Sequence, residues 1–460
     1  MNKMLSVIFS LLAGWLGLVQ SAEAQTLEEA LIAAYLNNPT LLAQRAKLRA
    51  VDEQVPQALS NWRPEMEIES DAGLSAVASN RATGTDRHQH REPRSLSLTL
   101  SQPIYRGGRT LAATSEAKNA VKAERARLRD IEQTVLLDVV TAYMDVFRDQ
   151  AVLELNINNE QVLKRQLEAS QDRFEVGEIT RTDVHQAEAR LARATADRIQ
   201  AEGDLVVSRA SYRNTVGESP GRLIRHKTPA DMPANEAEAI KAAATGNPNV
   251  IEAEFDERAS LDNIGEVRGE LLPSVDLEGV ADRSFNSSGE DSRIDTYTAK
   301  VTLSMPLYQS GSVYSRLREA RQTAAELRRK IDQARRDATE ETTQAWEGVQ
   351  TARARIESFL SQINASEIAL EGVQREAAVG SRTVLDILDA EQELLDARVD
   401  FVRAERDEMV AIFELKKAIG QLTAGQLQLP VDLYDPEVHY RRVRNKWFGG
   451  AVQGGIGENR

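Results

Sequence analysis

Two long stretches of the chain carry apolar residues at alternating three- and four-residue spacing. In the first, Leu128, Ile131, Val135, Val139, Ala142 and Val146 keep to one seam. In the second, Leu327, Ile331, Ala334, Ala338, Ala345, Val349, Ala352, Ile356, Phe359 and Ile363 do the same. Such spacing puts these side chains on one face of an α-helix that packs against partner helices. Alanine is frequent in both seams, which lets helices approach closely, and Glu, Arg, Gln and Asp fill the remaining faces. The prolines respect the same stretches: none of the 13 lies between Pro103 and Pro220 or between Pro306 and Pro430. Each stretch has one internal break, Phe174 to Thr180 and Ala377 to Thr383, where a Gly suits a left-handed helix end and a following Thr or Ser suits the next N-cap. The expectation is two helical hairpins, at about 108–217 and 312–420. Their first arms, from about Arg109 to Phe174 and from Val313 to Ala377, would each run ~100 Å at 1.5 Å per residue.

A different period precedes each hairpin. Met66, Ile68, Ala72 and Leu74 alternate with Glu65, Glu67, Glu69 and Asp71, and Leu96, Leu98 and Leu100 alternate with Ser95, Ser97, Thr99 and Ser101. Later, Val275, Leu277 and Val280 give a rougher version, followed by Tyr297, Ala299, Val301, Leu303, Met305 and Leu307 against Thr298, Lys300, Thr302 and Ser304. Period two predicts half-buried strands, at about 65–104 and 273–307, with Ser79 to Pro93 and Ser284 to Arg293 as hairpin loops. Four strands cannot close a barrel, and a bilayer admits no open sheet edge. A soluble sandwich and a barrel shared between subunits both satisfy this constraint. Trp62, Tyr105 and Tyr308 fall near strand ends, as an aromatic girdle or as packing at a helix-strand junction.

The two halves also match each other. Asn38-Pro39 and Asn247-Pro248 are 209 residues apart, while Gly177 and Gly380, Asp183 and Asp386, and Val216-Gly217 and Ile419-Gly420 are each 203 apart. The chain reads as a tandem duplication with one length change of six residues between Pro64 and Pro103. Its organisation is then a leader at 1–24, a first repeat at 25–225, a second at 226–429 and a C-terminal tail at 430–460. In the leader, Lys3 precedes an apolar run from Met4 to Val19, and Ala22 and Ala24 have the small-residue spacing of a signal-peptidase site, with cleavage after Ala24. A membrane anchor fits less well, because the run is short for a span.

Composition narrows the chemistry. With 57 Lys and Arg against 71 Asp and Glu, the formal charge of −14 disfavours nucleic acid as a partner. The absence of cysteine excludes disulfides, thiolate metal sites and a lipidated cysteine. His88 and His90 in a polar loop lack a further placed ligand, and His185, His226 and His439 are isolated. No nucleophile motif or phosphate loop accompanies the many Ser and Asp residues, so no enzyme, cofactor or metal site is expected.

The segments Phe174-Glu175-Val176-Gly177-Glu178-Ile179-Thr180-Arg181-Thr182-Asp183-Val184 and Val379-Gly380-Ser381-Arg382-Thr383-Val384-Leu385-Asp386-Ile387-Leu388-Asp389-Ala390-Glu391, taken with the duplication, resemble the TolC-type outer-membrane export channels of Gram-negative bacteria. The resemblance runs from Thr26 to about Leu429. It implies a mostly α fold with a small β part: a homotrimer whose protomers each give four strands to a twelve-stranded barrel in outer-membrane lipid, continued by an α-helical barrel across the periplasm. It further implies a passive channel-tunnel working with a periplasmic adaptor and an inner-membrane transporter, ABC or proton-driven, to export drugs, other small molecules or proteins. A soluble periplasmic coiled-coil adaptor or scaffold is the alternative.

The same resemblance assigns roles at the two turns. Asp386 and Asp389 match a pair that lines the pore constriction. Thr182 and Asp183 match positions that hold the entrance closed by bonding to the Arg that matches Arg382, although Arg382 can instead pair with Asp386 along its own helix. Gly177 and Gly380 match tip contacts with the adaptor, besides serving turn geometry. Ala377 stands where some relatives have a latch tyrosine. The basic, aromatic tail from Tyr434 to Gly449 resembles the ending of relatives associated with type I protein secretion, and Gly450 to Arg460 is expected to be disordered.

Overall fold

The computed structural model describes residues 24–78, 88–224, 232–289 and 291–451. The expected leader up to residue 23, most of the loop after Ala78, His226 and the last nine residues of the tail lie outside the described residues; so do the side chains of His88 and Gln89. In chain order the elements are β1 (Ala24–Gln25), α1 (Leu27–Asn37), α2 (Pro39–Asp52), α3 (Gln54–Ser60), β2 (Glu65–Ala72), β3 (Ser75–Ala78), β4 (His88–Arg91), β5 (Arg94–Arg106), α4 (Arg109–Glu175), α5 (Arg181–Val216) and β6 (Arg222–Leu223). The second half continues with α6 (Glu236–Gly246), α7 (Pro248–Gly269), β7 (Ser274–Phe285), β8 (Arg293–Ser304), α8 (Ser312–Ala378), α9 (Val384–Ala418) and α10 (Glu437–Val443). Helices α4 and α8 are each 67 residues long, ~100 Å of continuous helix.

Two compact units gather these elements, and they cut across the repeats. One comprises Met1–Gln44, Leu128–Pro248 and Arg336–Leu433; the other comprises Arg45–Arg127, Asn249–Arg335 and Tyr434–Arg460. In the first, the apolar seams meet: Val139, Tyr143 and Val146 of α4, Tyr212 of α5, Val349 of α8 and Ile412 and Leu415 of α9 are all buried. Alanine does much of the packing, as in the cluster of Ala239, Ala243 and Ala345 with Leu415 and Ile419. The duplication extends to single hydrogen bonds. Asn38 Nδ2 donates to the Thr215 carbonyl (2.9 Å), and Asn247 Nδ2 donates to the Ala418 carbonyl (3.1 Å). In each repeat the Asn-Pro step thereby satisfies a carbonyl that the end of a long helix leaves without an intrahelical partner.

The second unit holds a four-stranded antiparallel sheet in the order β2-β5-β7-β8. Its register sorts the side chains by face. Met66 lies opposite Leu100 and Ile68 opposite Leu98; Leu277 opposes both Gln102 and Val301, and Ala281 both Leu98 and Tyr297. The other face carries Glu65, Glu67, Glu69 and Asp71 on β2, Ser and Thr on β5, and Thr298, Lys300 and Thr302 on β8. Both apolar ridges are open to solvent, with Ile68 73% and Val301 70% exposed. Among the described residues the sheet is open, with β2 and β8 at its edges. The loop expected from Ser79 to Pro93 is corrected in part: His88–Arg91, inside it, is a strand that pairs with Ser75–Ala78 as a small antiparallel ribbon, so the hairpin extends beyond the main sheet.

Candidate functional site

The turns that end α4 and α8 are built alike. Gly177 (φ +81°) and Gly380 (φ +80°) take the left-handed conformation that a Cβ disfavours. Past each glycine the chain closes back onto the helix: Glu178 N–H donates to Arg173 O (2.9 Å), and Ser381 N–H donates to Glu376 O (3.0 Å). Then comes the same capping box twice. Thr180 accepts from the Asp183 N–H while the Asp183 carboxylate accepts from the Thr180 N–H (2.9 Å) and hydroxyl (2.8 Å). Thr383 and Asp386 repeat this at 2.8 and 2.7 Å. Behind the turns, Leu163, Ala187, Ala194, Val384 and Leu388 form a buried cluster that fixes the hairpins' ends.

The charged residues then part company. Arg382 Nε bonds Glu376 Oε2 across its own turn at 2.9 Å, and its Nη1 lies 3.8 Å from Asp386. Within the protomer it is therefore held by Glu376 and Asp386, while Asp183 is engaged by Thr180 and Thr182 is exposed. Asp389 is paired with Arg190 of α5, the one direct charge link between the hairpins among the seven predicted residues. Hydrogen bonds from the Thr383 hydroxyl and N–H, helped by the Arg382 charge, hold the Asp386 carboxyl below its ordinary value, and Glu376 pushes the Arg382 guanidinium up.

Sequence reasoning missed Glu376, Arg190 and Glu391. Glu376 precedes its partner by six residues across a turn, and Arg190 is 199 residues from Asp389, so neither pair follows a helical spacing. Glu391 borders a cavity of about 240 Å³ lined also by Asn158, Asn159, Gln374 and Arg398, and its Oε2 is buried with no hydrogen-bond partner among the described residues. Burial pushes its carboxyl up. Among the described residues there is no cluster of His, Asp and Glu able to hold a metal ion.

Two duplicated hairpins end in charged turns, and a four-stranded antiparallel sheet presents one apolar face. The fold of a membrane protein from Pseudomonas aeruginosa superposes with a TM-score of 0.77 at 19% identity, covering 86% of this chain and 90% of that one. The outer membrane efflux protein family matches residues 31–218 and again 239–421, and the chain belongs to that family. It is 32% identical to the outer membrane efflux protein BepC of Brucella suis, over 95% of both chains, and 27% identical to the outer membrane protein TolC of Vibrio cholerae, over 92% of this chain and 96% of that one. The family is one of outer-membrane export proteins of Gram-negative bacteria rather than of enzymes, and the outer membrane is this protein's location.

Proposed function

We propose that three copies of this chain assemble into a passive channel-tunnel for export of small molecules or proteins. The single observation that carries the reading is the open, amphipathic sheet. No described helix is long and apolar enough to cross a membrane, so the membrane part falls to strands, and lipid tolerates no free β2 or β8 edge. Sharing the sheet among three protomers joins each β8 to a neighbour's β2, turns the apolar ridges toward lipid and encloses the acidic and hydroxyl-bearing face as a wet lumen. The two repeats, 25–225 and 226–429, each give one pair of strands and one hairpin.

At the hairpin turns, Asp386 and Asp389 form two rings of carboxylates at the constriction. Closing the entrance requires Arg382 to exchange Glu376 for Thr182 and Asp183 of the facing hairpin. Gly177 and Gly380 mark the tips that meet a periplasmic adaptor, through which an inner-membrane transporter supplies the energy. The test is the mass and symmetry of detergent-purified particles. Three-fold particles that require detergent support the proposal, whereas recovery as a detergent-free monomer overturns it.

A further inference from the structure

The C-terminal tail lies past residue 421, where the family match ends, yet it is firmly docked. Tyr440 of α10 packs on the cluster of Val55, Ala117 and Val121, with the Arg125 guanidinium 5.2 Å from its ring, and Arg125 also pairs with Glu437 at 3.2 Å. His439 Nδ1 lies 3.1 Å from the fully buried Asp52, and Val443 is buried. Beyond α10 the chain leads to the foot of the sheet. Arg63 Nη1 donates to the Lys446 carbonyl (2.8 Å), and its guanidinium lies 4.9 Å from the Trp447 ring. Arg63 is two residues before β2, and the Trp62 carbonyl accepts from Gln102 of β5 (2.8 Å).

This docking holds two large aromatic rings in water: Trp447 is 57% and Phe448 85% exposed. Around them Arg441, Arg442, Arg444 and Lys446 are exposed, while the tail's Asp435 and Glu437 are engaged by Arg441 and Arg125. A basic, aromatic cluster runs against the chain's net charge of −14. It continues the exposed aromatics Trp62, Tyr105 and Tyr308 at the same end of the sheet. Indole and phenyl rings flanked by Arg and Lys favour the boundary between acyl chains and anionic headgroups, where rings are half-desolvated and cations meet phosphate.

We propose that the segment Tyr434–Phe448 is a strap that sets Trp447 and Phe448 into the headgroup layer of an anionic phospholipid leaflet at the foot of the sheet. The inference rests on the reading of the sheet as the membrane part. A second copy is the competing occupant, but its strap is equally basic, and charge complementarity favours phospholipid.

The test uses the full-length protein in bilayers of phosphatidylcholine, with or without phosphatidylglycerol, containing lipids brominated high on the acyl chain. The Trp447 contribution is the indole emission lost in Trp447→Phe, a substitution that keeps an aromatic ring. We expect at least twofold quenching of that contribution, stronger with phosphatidylglycerol, and loss of the anionic preference in Arg444→Gln/Lys446→Gln. A Val301→Trp reporter on the apolar ridge, in the Trp447→Phe background, reads the sheet separately with deeply brominated lipid. Quenching of that reporter with none at Trp447 overturns the strap and leaves the membrane sheet standing. No quenching at either position overturns both, and equal Trp447 quenching in neutral and anionic bilayers overturns the assignment of an anionic partner.

Discussion

The two helical turns share their backbone and differ in their charges. Gly177 and Gly380, Thr180 and Thr383, and Asp183 and Asp386 are repeat-equivalent and make the same bonds. At 203 residues' separation, however, Glu376 matches Arg173, Arg382 matches Ile179, Asp389 matches Gln186 and Glu393 matches Arg190. What both copies retain is what ends one helix and starts another. The charges around the turns differ: Arg173 bonds Glu178 across the first turn, Glu376 bonds Arg382 across the second, and Asp389 of the second copy faces Arg190 of the first.

Blockade by a trivalent hexammine complex should break this symmetry most sharply. In the proposed trimer, six carboxylates around the mouth would concentrate cations, so Asp386→Asn/Asp389→Asn should weaken periplasmic-side blockade by about tenfold or more, while Asp183→Asn should change it by less than about twofold. Asparagine preserves the cap's shape. Equal losses from both turns would assign the charge effect to folding. A smaller effect of opposite sign is expected for Arg190→Gln, which frees Asp389 and should tighten blockade about two- to threefold. The pH profile sharpens the point. Crowding of like charges would raise carboxylate values, but within the protomer Thr383 lowers that of Asp386. Its charge is present at neutral pH and is lost as pH falls below the ordinary value through the lowered one, so cation preference should persist into the usual carboxylate titration range.

The shared features should respond alike. Among the described residues no atom beyond the chain neighbours lies within 4 Å of a Cβ built at either turn glycine, so Gly177→Ala and Gly380→Ala should each cost only the left-handed backbone penalty, about 1–2 kcal/mol. Unequal losses of melting stability would show a further role for one tip. Thr180→Val and Thr383→Val should each cost about 1 kcal/mol through the lost cap. The smallest contrast concerns Glu188, exposed beside His185, and its equivalent Glu391, which is half-buried with its Oε2 buried and without a hydrogen-bond partner among the described residues. With its folded-state value raised, Glu391 costs stability above that value. Glu391→Gln should therefore stabilise by about 1 kcal/mol at neutral pH, with the gain shrinking as pH falls toward the unfolded value, and Glu188→Gln should be near neutral.

The hairpins and the duplication were legible because local chemistry specifies them: the Pro-free seams, the Gly that leaves the right-handed region, and a Thr three residues before an Asp. The strand faces were equally legible from period two, and β7, whose pattern is rougher, gains its register from β5 and β8 on either side. Contacts set by tertiary packing were not. Nothing in the spacing distinguishes the half-buried Glu391 from the exposed Glu188, because the difference lies in which helices pack over each. Nor did the tail's composition foretell α10, whose position depends on Asp52 and Arg125, more than 300 residues away.

Single-channel recording of detergent-purified protein in planar bilayers tests the central claim most directly. The account predicts discrete, cation-preferring conductance steps that grow or lengthen in Arg382→Ala, with three-fold assembly verified in the same sample. Silent bilayers containing inserted, assembled protein, for both wild type and Arg382→Ala, would contradict it.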